Sequence, residues 1–186
     1  MTVLTTSYWP SYKTFADLQV PRELDPGMQS FSQYYSAKHN HRQIKWCYSL
    51  GSATVSAKFP QTGKTYDCVV GTFQMCIIML FNNPKRFDGS FTVKEIREMM
   101  KMDEDTCLKN LKSLMLKNFK LLEVRQNSGD AAGKMTPGMQ NPVLKDDSFI
   151  GVNEAFSSQL IRIVFPTPVL EEVYKKGRFC FFTILL

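Results

Sequence analysis

The chain has only two histidines, His39 and His41, at a His-x-His spacing that can grip a metal ion. No third donor is signalled nearby. Where an early helix runs out, both imidazoles instead suit the negative end of its dipole. The five cysteines (Cys47, Cys68, Cys76, Cys107 and Cys180) are odd in number and form no CxxC clip. They are read as reduced, mostly buried thiols, not as a zinc site or a disulfide framework. Asp103-Glu104-Asp105 sits where a helix should begin, so capping and dipole complementarity account for it without acid–base chemistry. Asp146-Asp147 is expected to face solvent. GxSxG, HExxH, P-loop and GxGxxG patterns are absent. No catalytic residue, metal site or cofactor is expected, and the chain is not read as an enzyme.

Its 186 residues, 44% hydrophobic and 22% charged, have the balance of a globular protein. The longest apolar run, residues 75–81, falls far short of the roughly 20 residues that span a bilayer, and no secretory signal opens the sequence. A soluble protein of the cytoplasm or nucleus is expected. The net charge of +6 permits nucleic acid or an acidic protein as partner. Between Lys85 and Arg125, however, ten basic and seven acidic residues interleave, so no phosphate-binding run forms.

The elements that would carry these residues follow from periodicity. Residues 2–6 are β-branched and read as a short strand closed by Ser7-Tyr8-Trp9-Pro10. Pro21 and Pro26-Gly27 lead into a helix of about ten residues with Met28, Phe31, Tyr34 and Tyr35 on one face. Residues 43–50 alternate, with Ile44, Trp46, Tyr48 and Leu50 on one side. Strands at 53–59 and 64–70 follow, split by the Pro60–Gly63 turn, which predicts an antiparallel meander. From Thr72 the period changes. Residues 73–81 read as a buried helix, and Thr92 with Glu95 forms a capping box that opens a second helix carrying Ile96, Met99 and Met100 inward. Asp103 caps a third, with Cys107, Leu108, Leu111, Leu114 and Met115 at helical spacing, ended by Asn118. Strands at 120–125, 149–152 and 160–165 complete the pattern, with a polar stretch at 126–147. The expected fold is α+β: a small helix-plus-antiparallel-sheet module at 1–70, a winged-helix module at 71–168 and a tail at 169–186 whose apolar end can pack on the core.

A winged helix raises the alternative of a DNA-binding regulator, with Lys109, Asn110, Lys112 and Lys117 on its third helix. Three carboxylates at that helix's N-terminus oppose it, because they would repel phosphates. Nucleic acid is therefore not the expected partner. The strands at 2–6 and 43–59 leave a sheet edge, which invites a strand from another chain.

At this level of detail the sequence resembles the cullins. The motifs are Val3-Leu-Thr-Thr-Ser-Tyr-Trp-Pro-Ser-Tyr12, then Val20-Pro-x-Glu23-Leu24 and Phe31-x-x-Tyr34-Tyr35-x-x-Lys38-His39-x-x-Arg42-x-Ile44-x-Trp46. Tyr48-x-Leu50-Gly51, Thr72-x-Gln74-Met75, Leu80-Phe81-Asn82, Phe149-x-x-Asn153-x-x-Phe156 and Leu160-x-Arg162-Ile163 continue in the family's order over residues 2–168. The resemblance is strongest to the scaffold of SCF-type cullin–RING ligases. It implies a non-catalytic scaffold that holds a RING-box protein, through which a ubiquitin-conjugating enzyme is recruited for ubiquitin-dependent degradation. It also implies that the RING-box strand joins the sheet, with candidate contacts at Thr2, Val3, Leu4, Thr5, Thr6, Ile44, Trp46, Tyr48, Thr54 and Val55. The family's N-terminal repeats and terminal winged helix have no counterpart among these motifs. Lys175 and Lys176 lie outside the neddylation motif, so no residue inherits that lysine's role.

Overall fold

The structure, a computed structural model, describes residues 3, 15, 17–83, 89–116, 119–125 and 144–168, together with the strand at 182–184. The expected strand at 2–6 lies outside the described residues except for Val3, which belongs to no regular element and is exposed.

Helix α1 (Asp25–Lys38) runs 14 residues, longer than expected, with Pro26 in its first turn and Lys38 in its last. Its half-buried stripe is Met28, Phe31, Ser32 and Tyr35, a spacing of three and four. Tyr34, expected on that stripe, is exposed. The Lys38 ammonium lies 5.6 Å from its ring centroid, and Lys38 Nζ donates to Tyr34 Oη at 3.1 Å.

The strand expected over 43–50 does not form. Residues 42–47 are irregular and Tyr48–Leu50 makes one 3-10 turn. Strands β1 (Gly51–Phe59) and β2 (Lys64–Gly71) form the predicted antiparallel hairpin, in register from Ser52 opposite Gly71 to Phe59 opposite Lys64. Gly63 takes a φ of 64° in the turn, and its N–H closes back on the Phe59 carbonyl at 2.9 Å. One face of the hairpin is apolar: Ala53, Val55, Ala57 and Phe59 with Tyr66, Cys68 and Val70. The other carries Thr54, Ser56 and Lys58 opposite Val69, Asp67 and Thr65. This is the period of two that a half-buried sheet requires.

Helix α2 (Thr72–Leu80) follows β2 without a linker and lies against both strands, burying every residue from Thr72 to Ile77. Strand β3 (Phe91–Thr92) leads into α3 (Val93–Met100) through the predicted capping box: Glu95 N–H donates to Thr92 Oγ1 at 3.2 Å, and Thr92 N–H to Glu95 Oε2 at 2.8 Å. Helix α4 (Glu104–Leu114) is capped by Asp103, whose Oδ2 accepts from the Thr106 amide and hydroxyl, both at 3.1 Å. Strands β4 (Leu122–Arg125) and β5 (Phe149–Val152) pair antiparallel, and β3 adds to β5, giving the order β3-β5-β4.

The remaining strands cross the boundary expected at residue 70. Strand β6 (Arg162–Val164) does not extend the second sheet; it pairs parallel with β2, Ile163 opposite Cys68. Strand β7 (Phe182–Ile184) pairs parallel with β1, Phe182 opposite Gly51 and Ile184 opposite Ala53. The first sheet is therefore mixed, in the order β6-β2-β1-β7, and not an antiparallel meander. The buried apolar residues form one cluster from Phe15 to Phe165, spanning both sheets and all helices except α1, which has no buried residue.

Candidate functional site

Two features could engage a partner: the edge of the first sheet beside β1, and the aromatic surface where α1 meets the segment before β1. On the second, Phe31 stacks on Tyr35 with centroids 6.2 Å apart and meets Trp46 edge-on at 6.2 Å. Tyr35 in turn packs on the His39 ring at 4.6 Å. His39 is the residue that ends α1, as read from sequence, and its N–H donates to the Tyr35 carbonyl at 2.9 Å. His41 has a φ of 67°. Among the described residues, no three His, Cys, Asp or Glu side chains are grouped to hold a metal.

The sequence-predicted contacts separate into three sets. Thr2, Leu4, Thr5 and Thr6 lie outside the described residues, and Val3 is exposed. Ile44, Trp46 and Tyr48 are half-buried in the irregular segment and the 3-10 turn, so they form no ladder. Tyr48 packs on the core, and burial pushes its hydroxyl above the ordinary phenol range, with the Cys76 thiol and Asp25 carboxylate adding to the effect. Thr54 and Val55 do lie in a strand, β1, both half-buried and facing opposite sides of the sheet.

Strand β1 is paired along nearly its whole length with β2, whereas its other side is covered only over Gly51–Ala53, by β7. Thr54–Phe59 therefore present backbone donors and acceptors to no strand among the described residues. Polar side chains alternate along this stretch, which keeps the edge hydrated. At the far edge of the sheet, Leu160 and Ile161 just before β6 and Val164 within it are 67%, 73% and 63% exposed. Sequence reasoning placed this segment in a strand but did not single it out. The signal was two adjacent apolar residues, Leu160 and Ile161, at the entry to the strand.

Gly51 fixes where the β1 edge begins. A Cβ at this position would run into Thr72 Oγ1, and Thr72 is the buried first residue of α2. Gly51→Val should therefore push β1 away from α2, lowering stability by about 1–3 kcal/mol, the range for overpacked sites. Urea unfolding measures this, and an unchanged midpoint would refute the close approach.

The acidic groups expected to cap and complement helices are engaged within the chain. Arg97 reaches Asp146 through both guanidinium nitrogens, at 3.3 and 3.1 Å, and lies 3.5 Å from Glu104. Lys109 pairs with Asp105 at 2.8 Å. Asp146 and Asp147 are both exposed, as expected, and Asp146 is in addition tied to Arg97 of α3. Cys68, Cys76 and Cys107 are buried as expected, and Cys47 is half-buried.

The model of the cullin alpha+beta domain matches residues 3–156. The chain is 34% identical to Cullin-2 of Arabidopsis thaliana, covering 92% of this chain and 20% of that protein. It is 31% identical to Cullin-1 of Oryza sativa subsp. japonica, covering 94% and 21%. It spans about a fifth of the length of these curated relatives.

Proposed function

The chain belongs to the cullin family, and on that premise we propose that it is a non-catalytic scaffold segment of a cullin–RING ubiquitin ligase, holding a RING-box protein by strand addition. The observation that carries this reading is the edge of β1 from Thr54 to Phe59, six residues paired with β2 on one side and with no strand on the other among the described residues. An incoming strand there would be held mainly by backbone hydrogen bonds. Side chains pointing alternately at the polar face and at the core rim would set its register. The RING-box protein would bring the ubiquitin-charged conjugating enzyme, and transfer would follow from raised effective concentration.

Residues 72–152 are read as a winged-helix module serving the scaffold. Its support is the order α2, β3, α3, α4, β4, β5 with the small sheet β3-β5-β4. Asp103, Glu104 and Asp105 at the start of α4 favour a protein partner over a nucleic acid, because that end of the helix would meet phosphates with carboxylates. Buried reduced thiols fit the cytoplasm or nucleus.

Co-expression with a RING-box protein and size-exclusion chromatography test the proposal. The expected result is a one-to-one complex in which hydrogen exchange slows at amides within Thr54–Phe59. Separate elution of a folded chain would refute it.

A further inference from the structure

We infer that β7 is a strand held in place of a partner: it occupies the start of the β1 edge in cis and must leave before an external strand can pair with β1 along its full length. The inference rests on the strand-addition reading of that edge. Phe182, Thr183 and Ile184 pair with Gly51, Ser52 and Ala53, the first three residues of β1. A guest strand running the nine-residue length of β1 would need the same backbone groups. Each peptide group on that side offers one donor or acceptor, so two strands cannot share them.

The attachment is suited to release. It is three residues long and parallel, the slightly weaker pairing geometry per residue. The β1–β2 ladder beside it is antiparallel and runs eight residue pairs, so the hairpin stays folded when β7 departs. Strand β7, like β6, lies outside the stretch matched to the cullin alpha+beta domain, residues 3–156. The position of β7 at the very beginning of β1 matters as well. Gly51 sits so close to Thr72 of α2 that a Cβ there would meet the Thr72 hydroxyl, so β1 is packed on α2 at the point where β7 joins it. A protein whose competent form is a fraction of the total shows an affinity reduced by that fraction. The tail then sets the strength of partner binding without touching the rest of the interface.

The test uses the full chain carrying Thr183→Pro with Ile184→Pro. Successive amides of a strand point to opposite sides, so this pair removes whichever one faces β1. A second variant, glycine at 182, 183 and 184, keeps the amides and weakens the strand, and should act in the same direction to a smaller extent. Hydrogen exchange at Gly51–Ala53 and titration with a RING-box protein are read on each. The expected result is faster exchange at the outward amides of Gly51–Ala53 and affinity at least about tenfold tighter, with thermal unfolding little changed. Unchanged exchange would overturn the inference. Faster exchange with equal affinity for all three chains would overturn it too, because the partner would then use another edge while strand addition elsewhere still stood. No binding by any of them would overturn the scaffold reading itself, and the competition with it.

Discussion

Gln74→Leu is expected to cost about 3 kcal/mol of stability, although leucine nearly matches the volume of glutamine. Gln74 is fully buried near the start of α2, and its amide serves three parts of the chain. Its Oε1 accepts the Gly71 N–H at 2.8 Å; its Nε2 donates to Ser113 Oγ on α4 at 2.7 Å and to the Pro166 carbonyl beyond β6 at 2.9 Å. Ser113 passes the connection on, its hydroxyl donating to the Asn110 carbonyl at 2.6 Å. Leucine would strand the buried Gly71 N–H, at a cost of about 1–3 kcal/mol, and would delete the hydrogen bonds to Ser113 and to the carbonyl of exposed Pro166. Urea unfolding should show the loss at constant m-value, and a loss below about 1 kcal/mol would refute the clamp. Gln74→Glu separates the halves of the amide, keeping an acceptor for Gly71 and deleting both donors. Burial would raise its carboxyl pKa above the unfolded value of about 4.3. The folded state then holds the proton longer, so this variant should lose stability as pH rises through that value, whereas the leucine variant should show a constant offset.

Moving from neutral pH to pH 10 should remove about 4 kcal/mol from the wild-type chain. Burial pushes the thiol of Cys68 up to about 11 and those of Cys76 and Cys107 up to about 12. Nearby carboxylates, Asp67 at Cys68 and Asp103 with Asp146 at Cys107, push the same way; Arg97 partly opposes at Cys107. Each folded pKa lies above the unfolded one, near 9, so the thiols' contribution is intact below pH 9 and is lost as pH climbs toward 11 and 12. At pH 10 the unfolded chain has gained about one unit of ionisation free energy per thiol, a little over about 1 kcal/mol each. Denaturation in reducing buffer at pH 8 and pH 10 measures the difference, and Cys76→Ala should remove about a third of it. An equal midpoint at both pH values would show that these thiols ionise freely in the folded chain.

What the sequence made legible was local. The capping box of Thr92 and Glu95, the Asp103 cap and the buried run of α2 depend on residues a few positions apart, so their patterns survive without knowledge of neighbours. The same holds for the β1–β2 hairpin, whose turn fixes its register. Residues 43–50 misled because alternation marks a strand only where a ladder partner exists. Here Trp46 turns to Phe31 of α1 and Tyr48 to the core, so side-chain packing satisfies the pattern without a sheet. The placements of β6 and β7 were illegible, since no local feature of Arg162–Val164 or Phe182–Ile184 specifies which of two distant strands it joins. For the candidate site, the strand that holds Thr54 and Val55 was readable, but the exposed β6 edge depends on pairing that only the folded chain reveals.

That pairing has a consequence in time. Arg162 lies opposite Asp67, 95 residues earlier in the chain. During synthesis at about 5–20 residues per second, the β1–β2 hairpin emerges and waits roughly 5–20 s before β6 exists. Through that interval β2 is itself an open edge strand, lacking the β6 pairing that covers Asp67–Val69. The nascent hairpin is thus the stage at which chaperone contact or mispairing between neighbouring chains on one message would be decided, well before the first sheet is complete.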